Sequence, residues 1–449
     1  MTGRPWLSII LAAGLGTRMK SAMPKVLHSV AGRPMVAHAA AAAVEAGAER
    51  LALVIGPEFP NTESAAASLR DLGRRLGFFV QAERLGTAHA VLAAREAIAG
   101  FQGDAVIQYG DTPLLRGGTL NRLRAALDGG ADLAVLGFEA ADPFGYGRLV
   151  LDEGGGLAAI REEKDATAAE RAIRLCNSGV MAWRAERMLP ILDAIRNANA
   201  KGEYYLTDAV EIARSRGITV AVVTCPEEEV LGVNDRAQLA VAERVMQQRL
   251  RLAAMQNGAT LIAPETVTLA FDTRLGRDVI IEPNVFFGPG VVVEDNVHIK
   301  ANCHLEQAHV HAGAIVGPFA RLRPGTEIGP DVRIGNFVEV KQATIEAGSK
   351  VNHLAYIGDA RVGPDANIGA GTIVCNYDGF NKHFTEIGAG AFVGSNSALV
   401  APVKIGDGAY IGTGSVVTRD IEANALALER SELKQMPGWA ARFRARHGK

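Results

Sequence analysis

Residues 387–399 read Ile387-Gly388-Ala389-Gly390-Ala391-Phe392-Val393-Gly394-Ser395-Asn396-Ser397-Ala398-Leu399, and the spacing of six continues through Ile405, Ile411 and Val417. The same period runs upstream from Leu269 through Leu275, Ile281, Phe287, Val293, Ile299 and Leu305. It resumes from Val310 to Val340, from Ile345 to Ile357 and from Val362 to Val374. Glycine often follows the aliphatic residue directly, as in Ile328-Gly329, Ile334-Gly335, Ile368-Gly369 and Ile405-Gly406. This is the repeat of a parallel β-helix, in which each short strand turns one aliphatic inward and a small residue permits the corner. Three hexads close a triangular coil, so each aliphatic stacks on the residue about eighteen positions away. A β-sandwich would instead show period two with irregular turns. The stretch Cys375 to Glu386 breaks the period and is expected to leave the prism as a loop, where a rigid scaffold often carries function.

Working toward the N-terminus, Asp235 to Met255 holds no Gly or Pro and is rich in Ala, Leu, Arg and Gln. It reads as one long helix, capped by Asn234 or Asp235 and stopped by Gly258. It is either a connecting arm or another surface helix of the first domain. Before it, short apolar runs (Leu7 to Leu11, Leu51 to Ile55, Ala105 to Gln108) alternate with helical patterns (Met35 to Ala46, Ala88 to Ala97). That alternation predicts a parallel, Rossmann-like α/β sheet, whose ligands bind beyond the carboxyl ends of the strands. The expected division is therefore 1–235, a helical linker at 236–257, and a β-helix at 258–449.

Composition narrows the function. Lys plus Arg (47) nearly balance Asp plus Glu (49), leaving a net charge of -2 and arguing against a nucleic-acid binder with a basic surface. Four cysteines lie far apart, which fits neither a disulfide framework nor a zinc site and suits a reducing cytoplasm. No run of 18 apolar residues exists to span a membrane, and the stretch Leu7 to Ala13 breaks at Gly14 and Gly16 too early for a signal peptide.

Leu11-Ala12-Ala13-Gly14-Leu15-Gly16-Thr17-Arg18-Met19 follows the first strand directly. Its glycines let backbone approach a phosphate, and Arg18 adds a fixed cation. The spacing is neither that of a Walker A loop nor the full G-x-G-x-x-G of a dinucleotide fold. Pro24-Lys25 follows, and Tyr109-Gly110-Asp111-Thr112-Pro113-Leu114 comes after the strand at Ala105 to Gln108. Singly, Lys25 reads equally as a solvated cation, Asp111 as a turn residue and Asn234 as a helix cap. In this order and spacing they read as one site.

These motifs resemble the sugar-nucleotide pyrophosphorylases. With the hexapeptide half, and with Gln81 to Ala90, Gly145 to Arg148, Glu162 to Ala166, Asn177 to Gly179 and Gly232 to Asn234, the whole chain resembles one bacterial family. That family is the bifunctional N-acetylglucosamine-1-phosphate uridyltransferase and glucosamine-1-phosphate acetyltransferase. The resemblance implies a left-handed β-helix, a homotrimer, Mg²⁺ as cofactor, and UTP and acetyl-CoA as cosubstrates. It places UTP and the UDP-sugar on Leu11, Ala12, Ala13, Gly14, Lys25, Gln81, Gly86, Thr87, Tyr109, Gly110 and Asp111. Gly147, Glu162 and Asn177 would hold the sugar, and Asp111 with Asn234 would hold Mg²⁺. Arg18 and Lys25 would stabilise charge as the sugar phosphate attacks the α-phosphorus of UTP.

On the β-helix, attack of an amine on a thioester needs a base, and an imidazole with its ordinary pKa of about 6.5 suits the task. The resemblance assigns that role to His353, and Glu339 would orient the imidazole or stabilise its charged form. Arg323 and Lys341 would clamp the sugar phosphate, Tyr356 and Asn367 would contact the sugar, and Asn376, Tyr377 and Lys382 would complete the site. Acetyl-CoA would lie along Ala370, Asn376, Tyr377, Ser395, Thr413 and Arg430, where Thr413 departs from an expected alanine. His304, His309 and His311 read as solvated corners without a metal-ligand pattern. Trp439 to Lys449, with Arg442, Arg444, Arg446 and His447, reads as a solvated tail or a flank of the coenzyme phosphates. Two rivals share these modules: a pyrophosphorylase whose β-helix only regulates or oligomerises, and a non-catalytic exchange-factor subunit.

Overall fold

The computed structural model describes residues 4–57, 59, 69, 76–199 and 201–447. The chain divides into two compact units, Met1–Gln247 and Gln248–Lys449.

In the first unit the main sheet is built from β1 (Trp6–Ala12), β2 (Arg50–Ile55), β3 (Leu76–Val80), β4 (Asp104–Tyr109), β5 (Leu133–Glu139), β6 (Arg148–Leu151), β7 (Leu157–Arg161), β8 (Leu175–Arg184) and β9 (Val220–Thr224). Its main path runs β9-β5-β8-β4-β1-β2-β3, with the β6-β7 hairpin joined to β8. β1 is buried along its whole length because both faces of the sheet are covered. Trp6, Ile10 and Ala12 enter the core that includes α1 (Met35–Glu45), while Leu7, Ile9 and Leu11 enter the core on the opposite face. Such two-sided burial explains why these strands read as continuous apolar runs.

One expectation changes here. The sheet is mixed, because β8 runs antiparallel to both β4 and β5. Burial on both faces removes the alternation that would separate an inserted antiparallel strand from its parallel neighbours. The helix expected over Ala88 to Ala97 is also interrupted: α2 (Thr87–Ala93) ends at Ala94, and a short turn of helix follows at Arg95–Ile98.

The long helix α3 (Arg236–Gln256) starts at Asp235, whose carboxylate accepts the Gln238 N–H at 2.8 Å. Its first turns belong to the first unit, where Ala242 and Leu239 pack with Val30, Met35, Leu114 and Val233. Within the second unit, Leu250 and Ala254 pack against the core of the β-helix.

The second unit is a parallel β-helix. One sheet of ten strands runs from Thr260–Leu261 to Leu426–Ala427. A second sheet of fourteen strands covers two faces, because Glu339–Ile345 and Tyr356–Val362 are long enough to continue past a corner. Ile281 pairs with Ile299 and Ile299 with Val316, so the inward column forms by translation from coil to coil. All three are fully buried, as are Leu322, Ile334, Val351 and Ile411 or nearly so.

The glycine after the aliphatic has a different purpose from the expected one. Gly335 has ordinary backbone torsions, but a Cβ there would lie 1.8 Å from the Asn352 carbonyl oxygen of the next coil. Close stacking, and not an unusual φ, requires the missing side chain. The left-handed positions of the prism are shared between glycines such as Gly313 and Gly348 and Asn or Asp residues such as Asn284, Asn296, Asp331, Asp365 and Asn396.

The interruption after Cys375 does leave the prism. Asp378 closes it as a compact turn by accepting the N–H groups of Phe380 at 2.8 Å and Asn381 at 2.7 Å, with His383 Nε2 at 2.7 Å on its other oxygen. These contacts hold the Asp378 carboxyl well below the usual carboxylate range. The basic segment is an exposed helix, α4 (Trp439–His447), on which Trp439, Phe443 and His447 stack in sequence. Lys449 lies outside the described residues. No helix among the described residues is long and apolar enough to cross a membrane.

Candidate active sites

In the α/β unit, β1 is flanked by β2 on one side and β4 on the other, so the chain reverses its direction of travel across the sheet at β1. The crevice beyond the carboxyl ends of such strands is where this architecture binds ligands. The register Leu11↔Tyr109 sets the glycine-rich loop beside the Gly110-Asp111 turn, and the Gly110 N–H donates to the Leu11 carbonyl at 2.9 Å. Gly16 takes φ +63, and a Cβ there would fall 2.5 Å from the Lys25 Cβ, so only glycine lets Lys25 reach inward.

A cavity of about 320 Å³ results. Leu11, Ala12, Ala13, Gly14, Lys25, Gln81, Gly86, Thr87, Tyr109 and Asp111 all line it, joined by Arg84 and Glu203. The Lys25 ammonium contacts Asp111 Oδ2 and lies 3.0 Å from Asn234 Oδ1. Asn234 is held there because the Val233 N–H donates to the Asp111 carbonyl at 2.9 Å. Two oxygens, one carboxylate and one amide, thus converge on a single cationic group, which is the hard donor set that suits Mg²⁺.

Gln81 is buried, with its amide nitrogen 3.3 Å from both the Gly86 carbonyl and His89 Nδ1. The Asn177 N–H donates to the Gly147 carbonyl at 2.7 Å, and Glu162 accepts from the Thr207 hydroxyl at 3.2 Å. Burial pushes the Glu162 carboxyl up. Burial, reinforced by Asp111 and Glu162, raises the Tyr109 phenol. Arg18 is different: it is exposed on the turn Thr17–Met19 and is not among the residues lining the cavity. Arg84, which has no assigned role in the sequence reading, does line it, and its Nε donates to the Ala13 carbonyl at 2.8 Å. Its only sequence signal is its position three residues after Gln81.

On the β-helix, His353 ends the strand Lys350–His353 in register with Asn336 of the preceding coil. Its Nδ1 lies 2.9 Å from Asn336 Oδ1. Glu339 does not orient His353: it pairs with Arg323 at 2.8 Å. The register explains the correction, since one coil carries His353 onto Asn336 and Tyr356 onto Glu339. With Asn336 Oδ1 accepting the Nδ1 proton, Nε2 keeps its lone pair for a substrate.

Beyond the same corner, Lys341 lies 3.6 Å from Asp359, and Asn376 contacts Asp359 and reaches the Tyr356 hydroxyl at 3.5 Å. Lys382 sits in the extruded loop, where Tyr377 and Lys382 form a bridge. Hydrogen bonding and charge from Lys341, with a further contribution from Arg323, lower the Lys382 ammonium. Arg323, Lys341 and Lys382 are thus near one another, with Glu339 and Asp359 paired to the first two, and such a grouping can receive an anion. Asn367 lies on the adjacent face, in register with Lys350 and Phe392.

The remaining residues form a backbone ladder. Gly371 N–H donates to the His353 carbonyl at 3.3 Å, Asn396 N–H to the Ala370 carbonyl at 2.7 Å, and Gly414 N–H to the Ser395 carbonyl at 2.8 Å. Arg430 Nη1 then donates to the Thr413 carbonyl at 3.1 Å. Ala370, Ser395, Thr413 and Arg430 therefore follow His353 up one corner. Thr413 is exposed and joins the ladder through its backbone, so its side chain does not disturb it.

Residues 8–175 match the model of the MobA-like NTP transferase domain, and residues 272–307, 307–342 and 384–419 match that of the bacterial transferase hexapeptide (six repeats). The bifunctional protein GlmU of Azorhizobium caulinodans is 61% identical over 449 residues, covering 100% of this chain and 99% of the relative. Its counterpart in Xanthobacter autotrophicus is 60% identical over 449 residues, with the same coverage. That of Paramagnetospirillum magneticum is 55% identical over 439 residues, covering 97% of this chain and 96% of the relative. The chain belongs to the GlmU family. A GlmU chain joins a nucleotidyltransferase module to transferase hexapeptides, and both modules are matched here, the second as a left-handed β-helix.

Proposed function

We propose that the β-helix acetylates glucosamine 1-phosphate with acetyl-CoA, and that the α/β unit then transfers UMP from UTP to the N-acetylglucosamine 1-phosphate so formed. The products are coenzyme A, pyrophosphate and UDP-N-acetylglucosamine, a precursor of peptidoglycan and lipopolysaccharide. The observation that carries this reading is the His353 imidazole, whose Nδ1 is held by Asn336 on the corner that also carries Ala370, Ser395, Thr413 and Arg430. A β-helix that merely oligomerises has no need of an imidazole held in one tautomer beside Lys341 and Lys382, and an exchange factor has no need of the Lys25, Asp111 and Asn234 cluster.

In the first transfer the substrate amine attacks the thioester carbon, His353 Nε2 takes the amine proton, and the coenzyme leaves as a thiolate that is then protonated. Arg323, Lys341 and Lys382 hold the sugar phosphate, Tyr356 and Asn367 contact the sugar, and Asn376 and Tyr377 complete the site on the acetyl-CoA side. In the second transfer a sugar phosphate oxygen attacks the α-phosphorus of UTP and pyrophosphate leaves. Lys25 and Arg84 supply charge inside the cavity, while exposed Arg18 acts from its rim. Gln81, Gly86 and Thr87 read the base, and Gly147, Glu162 and Asn177 hold the sugar. Asp111 and Asn234 would hold Mg²⁺, which neutralises charge on the triphosphate when bound.

The exposed column Phe319, Phe337 and Leu354, with the two rings stacked at 5.1 Å, supports assembly of prisms into a homotrimer. Four free cysteines support a cytoplasmic location. Release of free coenzyme A thiol on mixing the chain with acetyl-CoA and glucosamine 1-phosphate, without UTP, tests the reading. Substrate-dependent release is the expected outcome, and none from folded protein would leave the β-helix as a scaffold.

A further inference from the structure

Away from both sites, three successive coils of the β-helix bring four ionisable side chains together. Val293 pairs with Val310, and His309 pairs with Glu327, so Glu294 stands beside His309 and His311 on one side and Glu327 on the other. These histidines are not the independently solvated corners expected from the sequence. Their carboxylate partners sit about a coil away in each direction, where no local ligand spacing reveals them. His304, by contrast, stacks on Phe286 at 4.7 Å.

Glu294 Oε1 lies 3.0 Å from His309 Nε2 and 3.1 Å from His311 Nδ1. Its other oxygen accepts the Ala312 N–H at 3.1 Å, which fixes the carboxylate. On the far side, Glu327 Oε2 lies 3.4 Å from His309 Nδ1 and 3.3 Å from His311 Nε2. The two rings are 4.0 Å apart. Ligand atoms bound tetrahedrally to zinc at about 2.0 Å are themselves about 3.3 Å apart, close to the 3.0 and 3.1 Å that separate Glu294 Oε1 from the two nitrogens, and the three ligand atoms all lie within 4.8 Å of one another. A carboxylate on the outer nitrogens is the arrangement that fixes the tautomer and orientation of metal-binding histidines.

We propose that Glu294, His309 and His311 bind a divalent transition-metal ion of the zinc type, with Glu327 as the carboxylate that orients both imidazoles. In the binding tautomers His309 Nδ1–H and His311 Nε2–H donate to Glu327, leaving a lone pair on each nitrogen that faces Glu294. Two carboxylates and two neutral rings balance the ion's charge, and water takes the open position. Two imidazole nitrogens favour zinc, cobalt or nickel over magnesium. The ion would clasp successive coils at a place that contributes to neither transfer site.

The test uses the full-length chain without a polyhistidine tag, stripped with chelator and then equilibrated with micromolar zinc. Elemental analysis after gel filtration is expected to find one more zinc per chain in the wild type than in the His309→Ala/His311→Ala double variant. Glu327→Gln is expected to weaken binding about 10–100-fold. Both transferase activities should be unchanged in these variants. Equal zinc retention by wild type and double variant overturns the proposal. Should the double variant not fold, cobalt(II) added to stripped wild-type protein decides the matter: visible bands of a four-coordinate nitrogen and oxygen site support it, and their absence overturns it.

Discussion

The α/β cavity gathers Leu11 from the end of β1, Gln81 and Thr87 from the segment after β3 and Asp111 from the turn after β4, whereas His353, Ala370, Ser395 and Thr413 occupy one corner repeated from coil to coil. In the first case topology makes the site: β1 lies between β2 and β4, and loops distant in sequence meet beyond its end. In the second, translation makes it, because each coil sets its residues directly above those of the coil before. A loop-built site depends on a few tethers, such as the Val233 to Asp111 hydrogen bond. A repeat-built site depends on register, so a neighbour in space is a residue about one coil away.

If the two sites are built independently, disabling one leaves the other intact. His353→Ala should lower acetyl transfer by about 10²–10⁴-fold, the range for loss of a general base, while uridylyl transfer stays at the wild-type rate. Comparable loss of both, measured by coenzyme A release and pyrophosphate release on one preparation, would show that the units do not work independently. Asp111→Ala should do the reverse, lowering pyrophosphate release by about 10²–10³-fold and leaving acetyl transfer intact. Register can be probed more finely. Asn336→Ala should cost about tenfold in kcat for acetyl transfer with little change in KM, as expected for one lost orienting hydrogen bond, and Glu339→Gln should not mimic that pattern.

A smaller effect belongs to the α/β unit. Burial, with Glu211 and Glu162 nearby, pushes the Asp208 carboxyl up to about 6. The native state therefore holds a proton there more tightly than the unfolded chain, so stability falls as pH rises from the ordinary carboxylate range through about 6. Asp208→Asn should stabilise the unit by about 1 kcal/mol at pH 7.5, a figure kept low by solvent screening, and the gain should vanish near pH 4 in thermal melts. Smallest of all, Thr413→Ala should change KM for acetyl-CoA by less than about threefold, because Thr413 meets the ladder through its backbone.

The β-helix is legible in the order of residues alone, since an aliphatic residue every sixth position admits one way to bury a continuous column, and glycine beside it admits close stacking at Gly335. The sequence also placed the residues of the α/β cavity, because loops after strands carry their motifs intact in the chain. It did not reveal the direction of β8, whose two-sided burial leaves no pattern of orientation. Nor did it show that Arg84 faces the cavity while Arg18 is exposed, that Asn336 and not Glu339 holds His353, or that Glu294 and Glu327 enclose His309 and His311. Each of these was decided by tertiary structure, for one reason. Hydrophobic periodicity records which side chains face inward, while the polar partners of a surface residue are set by inter-coil register and loop path, which leave no period of their own.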